Sequence, residues 1–545
     1  MKMNCLNLYL IGLVLILVGC RPKQQADLII VDANIQMVDS AFTRNDAMVI
    51  GNGKILAVGN AKDLLSKFQV DSQMSFKGKF IYPGIIDAHC HLYGLGMFLQ
   101  MVDLGDTKSF EDVVDKCMKF YSKQTKNYLL GRGWDQNNWL SKEFPNNESL
   151  NNAFPDIPVI LKRVDGHAAI ANDCALKLAG ITINSKVDGG EVIVEKGELS
   201  GVLIDNAVEL VEKIIPKATR QEQIRGLMDA EQVCFKYGIT AVTDAGLSTD
   251  VILLIDSLQK ANIISIRINA MVSLTKENLA YWIKRGPLKT ERLQVNSFKM
   301  YGDGALGSKG ACLLKTYSDQ PGHAGFLLTS AADMESYIEQ IARSPFQLNT
   351  HAIGDSTNRL LLKLYGRYVG NLPDRRWRIE HAQVLNEADF ALFGKYKIVP
   401  SVQPTHATSD MVWAKDRLGS DRMKGAYAYQ TLLKQLDWLP LGTDFPVESV
   451  SPFFTFYAAV ARKDRNGYPA EGFQMADGLT RKQTLLGMTT WAAKGAFLEN
   501  EMGSLLPGTF ADFTVLNFDL LLDDMEKIRN ISAFQTFING LPILK

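Results

Sequence analysis

The chain has 545 residues, 46% of them hydrophobic and 22% charged, which is enough apolar material to bury a large core in two or more structural units. Lysine and arginine together number 59, as do aspartate and glutamate, so the formal net charge is zero. This balance excludes a strong overall attraction to nucleic acid or to an acidic surface. Any attachment to a membrane must therefore come from a local feature.

The first twenty residues resemble a bacterial export signal. Lys2 precedes an apolar run over Leu8–Val18, which is shorter than the roughly 20 residues that a membrane-spanning helix needs. The run ends in Leu17-Val-Gly-Cys20, which resembles the lipobox of bacterial lipoproteins. We therefore expect a signal peptide over residues 1–19 and a lipid anchor on Cys20. The alternative is a plain secretory peptide with a chance cysteine.

The anchor predicts where the protein resides. A lipidated Cys20 would hold the exported chain on a membrane of the bacterial cell envelope, at the outer membrane or the periplasmic face in a Gram-negative cell. The polar residues that follow Cys20 suit a tether between lipid and folded protein.

Residues 20–79 and 503–545 are rich in short strand-like runs and turns. Near the start, Asp27–Val31 and Ala47–Ile50 are strand-like, and Asn52-Gly53 is typical of a hairpin turn. Near the end, Ala511–Leu516 and Ala533–Ile538 have the same character. We predict that the two ends of the chain form one small β-sandwich.

Residues 80–502 contain eight short apolar runs, most of them followed by a helix-like segment. This alternation predicts an α/β fold in which parallel strands close into a TIM-like (β/α)₈ barrel. About 150 residues separate the first two runs, so we expect an inserted subdomain at about 95–235, over the barrel mouth. The predicted strands are Phe80–Asp87, Ile239–Asp244, Ile264–Val272, Ser297–Tyr301, Phe346–Thr350, Trp377–Glu380, Lys397–Val402 and Trp438–Thr443.

Four histidines lie at the ends of three predicted strands. The first strand ends in Asp87-Ala-His-Cys-His91, and the strand period of two puts His89 and His91 on one face. His351 and His381 follow the fifth and sixth strands. Because barrel strands deliver catalytic groups at their carboxyl ends, this pattern predicts a metal site.

Two further residues belong to the same end of the barrel. Asp444 follows the eighth predicted strand, where a carboxylate can bind metal and take a proton from bound water. The alternative for Asp444 is a helix cap. Lys299 alternates with apolar neighbours on the fourth strand and would point into the barrel, where an unpaired ammonium is costly. Lys299 therefore needs a partner or a modification.

These segments together resemble the amidohydrolase superfamily, in the branch similar to N-substituted formamide deformylases. The resemblance covers nearly the whole chain after the signal. The segments that carry it are Pro83–His91, Lys299–Gly307, Thr350–Asp355, Glu380–Gln383, Gly442–Pro446 and Gly503–Gly508. It implies a metal-dependent hydrolase barrel with one or two divalent ions, zinc or another divalent metal.

The resemblance also implies a role for each ligand: His89 and His91 on the deeper ion, Asp444 beside it, His351 and His381 on the outer ion, and Lys299 as a carbamylated bridge between the two. Carbamylation would turn an unfavourable buried cation into a metal-binding anion. If Lys299 is unmodified, a single-metal site with an ammonium nearby is the alternative.

The chemistry implied is hydrolysis by a metal-held hydroxide. The metal lowers the pKa of bound water to about 7, while Asp444 accepts the water proton and passes it to the leaving nitrogen. His167 and His406 are the candidate substrate contacts, each with a structural role as the alternative.

We expect the substrate to be a small amide-like molecule whose non-peptide C–N bond is cut, with no nucleic-acid partner. A homodimer is compatible with the sequence. One alternative is hydrolysis of an ester or another non-amide bond at the same metals. Another is a lipoprotein that keeps the barrel only as a binding scaffold.

Overall fold

A computed structural model describes residues 23–543, apart from residues 123–126, 137–138, 164–167, 188–189 and 206. Two predicted functional residues, Cys20 and His167, lie outside the described residues. Within the described part of the chain, no helix combines the length and the apolar character needed to cross a membrane.

The elements follow one another in chain order. The first stretch is mostly strand: β1 (Gln24–Val31), β2 (Asn34–Gln36), β3 (Arg44–Asn45), β4 (Ala47–Gly51), β5 (Lys54–Gly59), α1 (Ala61–Lys67), β6 (Phe68–Ser75), β7 (Phe80–Pro83), β8 (Ile85–Cys90) and α2 (Leu92–Phe98). The insert comes next: β9 (Val102–Asp103), α3 (Phe110–Tyr121), β10 (Leu129–Trp134), α4 (Glu148–Ala153), β11 (Val159–Arg163), β12 (Ala168–Ala171), α5 (Asp173–Leu178), β13 (Gly190–Glu195), β14 (Glu198–Asp205) and α6 (Val208–Glu212).

The remaining elements complete the barrel and return to the terminal sheet. The barrel continues with α7 (Arg220–Lys236), β15 (Ile239–Leu247), α8 (Thr249–Lys260), β16 (Arg267–Ser273), α9 (Lys276–Arg285), β17 (Leu288–Lys289), β18 (Leu293–Tyr301), α10 (Ala331–Ala342), β19 (Gln347–Ala352), α11 (Asp355–Tyr368), β20 (Arg378–His381), α12 (Phe390–Tyr396), β21 (Val399–Ser401), α13 (Pro404–Asp410), α14 (Ala414–Arg422), α15 (Tyr429–Leu436), α16 (Pro452–Ala461), α17 (Arg481–Gly487) and α18 (Thr490–Gly495). The last elements are β22 (Phe513–Leu516), α19 (Met525–Ile528), β23 (Gln535–Ile538) and β24 (Leu541–Pro542).

Both ends of the chain contribute to one sheet. Strand β7 from the first part pairs antiparallel with β22 from the last part, with Ile81 opposite Val515. This sheet, in the order β24-β23-β22-β7-β2-β3, shares a buried cluster with the sheet β5-β4-β1-β6. The stacked rings of Phe513 and Phe537, with centroids 4.2 Å apart, lie in that cluster.

The first predicted barrel strand, Phe80–Asp87, is in fact two strands. β7 belongs to the terminal sheet, whereas β8 begins the barrel at Ile85. Gly84 lies at the break, where an added Cβ would come within 2.1 Å of the Thr240 hydroxyl oxygen. Only glycine allows this approach, and a continuous apolar run does not reveal a change of sheet.

The barrel strands β8, β15, β16, β18, β19, β20 and β21 are parallel neighbours in that order. The predicted eighth strand is an irregular extended segment that still closes the ring. On one side the Gly442 N–H donates to the Val402 carbonyl at 3.0 Å, and on the other the Ala88 N–H donates to the Leu441 carbonyl at 3.2 Å. Pro440 has no N–H to give to the ladder. The predicted barrel class is therefore confirmed.

Polar caps end the turns that follow the barrel strands. The side chains of Ser248, Thr275 and Ser330 accept backbone N–H bonds at the starts of α8, α9 and α10. Such caps satisfy N–H groups that the first helical turn leaves unpaired. These three helices therefore begin at defined residues.

The insert is a sheet in the order β13-β14-β12-β11-β10-β9, with helices on both faces. Alternate residues of β11 serve different clusters: Val159 and Leu161 pack on the face of α3, and Ile160 packs on the face of α5 and α6. This is the period of two expected of a strand buried on both sides. The insert is thus a folded layer beside the barrel mouth.

Candidate metal centre

His89 and His91 leave the end of β8 towards the same carboxylate. The Nε2 atom of His89 lies 3.5 Å from Oδ1 of Asp444, and the Nε2 atom of His91 lies 3.3 Å from that oxygen. The three residues each offer one ligand atom, and these atoms lie within 4.8 Å of one another. A single divalent ion could bind all three.

The other oxygen of Asp444 faces a second group. Its Oδ2 lies 3.2 Å from Nε2 of His406, whose Nδ1 lies 3.2 Å from Oε1 of Glu448. His381, His406 and Asp444 form a further set whose ligand atoms lie within 4.8 Å of one another. Asp444 therefore stands between two sets of imidazoles, each able to hold a cation.

Two buried atoms at this centre have no hydrogen-bond partner among the described residues: Nε2 of His351 and Nδ1 of His381. Buried polar atoms are nearly always paired, so unpaired atoms converging on one place call for a ligand. The His351 and His381 rings are 4.5 Å apart at their centroids. The donor set of imidazoles and a carboxylate fits a divalent metal such as zinc.

The protonation states suit metal binding. Burial, with a further contribution from Lys299, lowers the pKa of His89 to about 4 and that of His351 to about 3. Burial also holds the pKa of His381 well below its ordinary value. These imidazoles are neutral at pH 7, the form that binds metals.

At two other residues, Asp444 and His406, hydrogen bonds between histidine and carboxylate together affect the pKa more than burial does. Although burial opposes ionisation of Asp444, hydrogen bonds from His406 and His91 hold its pKa well below the ordinary value. Burial likewise disfavours the charged form of His406, but Asp444 and Glu448 raise its pKa well above the ordinary value. Each residue of the pair thus favours the charged form of the other.

A buried ion pair orients His89. The Arg378 guanidinium donates to both oxygens of Glu380, at 2.6 and 2.9 Å, and the same carboxylate contacts Nδ1 of His89. Although burial opposes its charge, Arg378 and His89 hold the pKa of Glu380 below the ordinary value. Because Nδ1 is occupied, Nε2 faces Asp444, which is the usual way in which an outer carboxylate orients a metal-binding histidine.

Asp87 ties the first strand to the segment that carries Asp444. Its Oδ2 accepts from the Thr443 hydroxyl at 2.7 Å, and its Oδ1 accepts from the backbone N–H groups of Thr443 and His89. Burial raises the pKa of Asp87 to about 7. Asp87 therefore holds the barrel seam together.

Lys299 projects into the same space. Its Nζ lies 3.4 Å from Nε2 of His89 and 5.0 Å from the centre of the Tyr301 ring. Burial lowers its pKa to about 8. Among the described residues, Nζ forms no ion pair within 4.0 Å, although the charges of Glu380 and Asp444 oppose the fall in its pKa. Carbamylation of Lys299 stays a prediction.

Left-handed backbone at the centre lets successive residues point the same way. His381 has φ of 72° and Asp444 has φ of 64°, values that are uncommon without glycine and concentrate at functional sites. On a regular strand Glu380 and His381 would point to opposite faces. Because of the turn at His381, both reach the centre.

The structure thus brings together most of the predicted site residues. His89, His91, His381 and Asp444 lie in the two ligand sets, and Lys299 and His351 lie against them. His406, predicted as a substrate contact, lies in the second ligand set. His167 lies outside the described residues.

Three important side chains are absent from the predicted set. Arg378 and Glu380 are two residues apart on one strand, a spacing that puts them on one face and is a usable sequence signal. Glu448 lies in an irregular segment four residues after Asp444, where no periodic pattern marks it.

A cavity of about 450 Å³ adjoins the centre. His91 and Asp244 lie at its inner end, and burial raises the pKa of Asp244 to about 6. Its walls come from α2, β15 and the insert strands β10 and β11. A small molecule could therefore reach the ligand sets from this side.

This chain is similar to known proteins over most of its length. The sequence model of the amidohydrolase family matches residues 75–543. The protein LONG AFTER FAR-RED 3 of Arabidopsis thaliana is 33% identical over an alignment of 541 residues that covers 94% of this chain and 91% of that protein. The N-substituted formamide deformylase of Arthrobacter pascens is 21% identical over 542 residues, covering 95% of this chain and 98% of the relative.

Among solved structures, an uncharacterized metal-dependent hydrolase from Pyrococcus horikoshii superposes with a TM-score of 0.78 at 26% identity. The match covers 91% of this chain and 99% of that one. The family match spans the sheet strands from β7 onward, the insert and the barrel, including every described residue of the two ligand sets. The chain belongs to the amidohydrolase family, whose members resembling it include metal-dependent hydrolases.

Proposed function

We propose that the protein hydrolyses a non-peptide C–N bond of a small amide at a divalent-metal centre, with zinc as the first candidate. The observation that carries the proposal is the position of Asp444, which offers one oxygen to His89 and His91 and the other to His406. The resemblance to formamide deformylases supports an amide rather than another bond.

The residues of the metal centre have separate roles in the proposed reaction. When bound, a divalent metal supplies water of lowered pKa and polarises the scissile carbonyl. Asp444 is held ionised by its histidine neighbours, so it can accept the water proton and deliver it to the leaving nitrogen. Glu380 keeps Nε2 of His89 directed at the centre, and the cavity beside His91 admits the substrate.

The number of ions depends on Lys299. A carbamylated Lys299 would add a bridging anion and favour two ions, whereas an unmodified ammonium beside His89 favours one. Intact-protein mass spectrometry without acid distinguishes the two, because carbamylation adds the mass of one CO₂.

The test measures metal and turnover together. Plasma mass spectrometry of purified protein should find one or two zinc ions per chain, and His89→Ala should lose metal. His323→Ala is the matched control, because His323 stacks on Tyr317 in a loop outside both ligand sets and should keep its metal. If the folded protein binds no zinc even when zinc is supplied, the proposal is overturned.

The bond is identified with paired substrates. N-formyl and N-acetyl amines should be hydrolysed, and Asp444→Asn should abolish this hydrolysis while the protein stays folded. Turnover of the matching esters alone would favour the non-amide alternative. Tight binding without turnover of either series would favour a binding scaffold.

A further inference from the structure

The cavity beside His91 has a polar end next to the metal ligands, and the rest of its wall is mostly apolar, with Arg132 and Lys162 as the charged exceptions. His91 and Asp244 form the polar end. Tyr93, Met97 and Leu247 are among the apolar residues that continue the wall away from the metal ligands. A substrate whose amide group lies at the metal centre would therefore extend into apolar surroundings.

A second cavity of about 220 Å³ adjoins the first. The two share wall residues from α2 and from the insert, namely Tyr93, Met97, Met101, Leu130 and Ile215. The outer cavity ends near Tyr128 and Glu222, whose side chains lie 3.4 Å apart. The space thus runs from the metal centre between barrel and insert to a polar outer end.

The insert side of this space is firmly supported. Ile160 is 3% exposed and belongs to a buried cluster of the insert, against which Leu130 and Ile215 pack. The opposite side carries Met97 and Met101, whose flexible thioethers adapt to groups of varied shape. A buried insert wall that faces flexible methionine side chains suits apolar groups of varied shape.

The charged residues near the cavity do not favour an acidic ligand. Lys162 forms an ion pair with Glu212, which balances its charge. Arg132, which also lines the cavity, lies on β10 and is exposed to solvent, where its charge is screened by water and ions. Asp244 is the acid at the inner end, where it would repel a second carboxylate.

We infer that the two joined cavities bind an extended apolar substituent of the substrate, an alkyl or aryl chain attached to the amide, with the chain directed from His91 towards Ile215. This inference deepens the proposed function and rests on it. Burial of the chain between α2 and the insert supplies binding energy remote from the reacting bond.

The test uses hydroxamates, because their head group chelates zinc and their tail can be lengthened one methylene at a time. Calorimetry on zinc-loaded protein compares acetohydroxamate with butano-, hexano- and octanohydroxamate. Affinity should rise about two- to fourfold per added methylene, as expected for burial of apolar surface. The metal-free protein should show no such series.

Substitutions that fill the cavities test where the apolar tail of the hydroxamate binds. Leu130→Trp and Met97→Trp fill the space from opposite walls, and each should leave acetohydroxamate binding unchanged while removing most of the gain from longer tails. Leu99→Trp is the matched control, because Leu99 follows α2, is 38% exposed and lies outside both cavities. Two filling variants keep the test valid if one of them fails to fold.

The outcomes are distinct. If acetohydroxamate binds and longer tails add nothing, the inference is overturned while the metal centre stands. If acetohydroxamate itself does not bind the zinc-loaded protein, the proposed function fails and the inference falls with it. A chain-length series that survives both filling variants would also overturn the inference, because the tail would then lie elsewhere.

Discussion

His406 lies 3.2 Å from Asp444, on the side of the carboxylate opposite His89 and His91. The residues are 38 positions apart in the chain, and their contact depends on closure of the barrel between β21 and the irregular eighth segment. The Glu448 carboxylate contacts Nδ1 of His406, just as the Glu380 carboxylate contacts Nδ1 of His89. Asp444 is therefore flanked by two histidines, each oriented by its own carboxylate.

From this arrangement we predict that His406→Ala weakens metal binding and does not act on substrate affinity alone. Glu448→Gln should weaken metal affinity about 10- to 100-fold, the usual effect of removing a carboxylate that orients a metal-binding histidine. Competition with a zinc chelator measures the change. Ser409→Ala is the control, since it removes the hydroxyl's bonds to Glu448 and to the Thr405 and His406 carbonyls but leaves the contact between Glu448 and the His406 ring in place. If zinc affinity is unchanged in both His406→Ala and Glu448→Gln, His406 is better described as a substrate contact than as a metal ligand.

We predict that Glu380→Gln destabilises the fold as well as the centre. The substitution leaves the fully buried Arg378 without its counter-charge, and breaking a buried pair costs about 3–5 kcal/mol. Urea unfolding of metal-free protein measures this cost apart from metal loss. The surface pair of Arg343 and Glu339 is the comparison, where Glu339→Gln should change stability by less than about 0.5 kcal/mol. Equal effects of the two substitutions would contradict the prediction.

Glu231 gives a pH-dependent prediction away from the metal centre. Its carboxylate is 4% exposed, and burial raises its pKa above 4.5 although it accepts backbone N–H bonds from Ser265 and Ile266. A raised pKa in the folded state means that folding favours the protonated form. The contribution of Glu231 to stability is therefore fully present below pH 4.5 and is lost as pH rises through the folded-state pKa.

The variant Glu231→Gln should lack this dependence. The difference in unfolding free energy between wild type and variant, followed by urea unfolding from pH 4 to pH 8, should shift in favour of the variant as pH rises. Glu277→Gln is a suitable reference because Glu277 is at the surface and its pKa is lowered rather than raised. A flat difference for Glu231→Gln would show that the carboxyl does not titrate differently on folding.

The lipid anchor stays a prediction that concerns residues outside the described part of the chain. Expressed in a bacterium with labelled palmitate, the full chain should incorporate label and sediment with membranes, because Cys20 ends a lipobox-like segment. Cys20→Ala should abolish the labelling. Cys5→Ala, in the same signal segment, should not. Labelling that survives Cys20→Ala would refute the lipobox.

The sequence by itself determined the features that local geometry controls. The spacing of His89 and His91 follows from the period of a strand, and the alternation of apolar runs with helix-like segments predicts the barrel and the chain order of its ligands. These patterns repeat within a few residues, so they can be recognised without knowledge of the tertiary structure.

The tertiary structure alone decided which distant side chains meet. Glu380 and His89 are 291 residues apart, and their contact exists because β20 and β8 face one another across a closed barrel. The split at Gly84 and the left-handed backbone at His381 and Asp444 break the regular strand pattern on which a prediction depends. The cavity between α2 and the insert likewise arises from packing of two layers, whose separation no run of residues encodes locally.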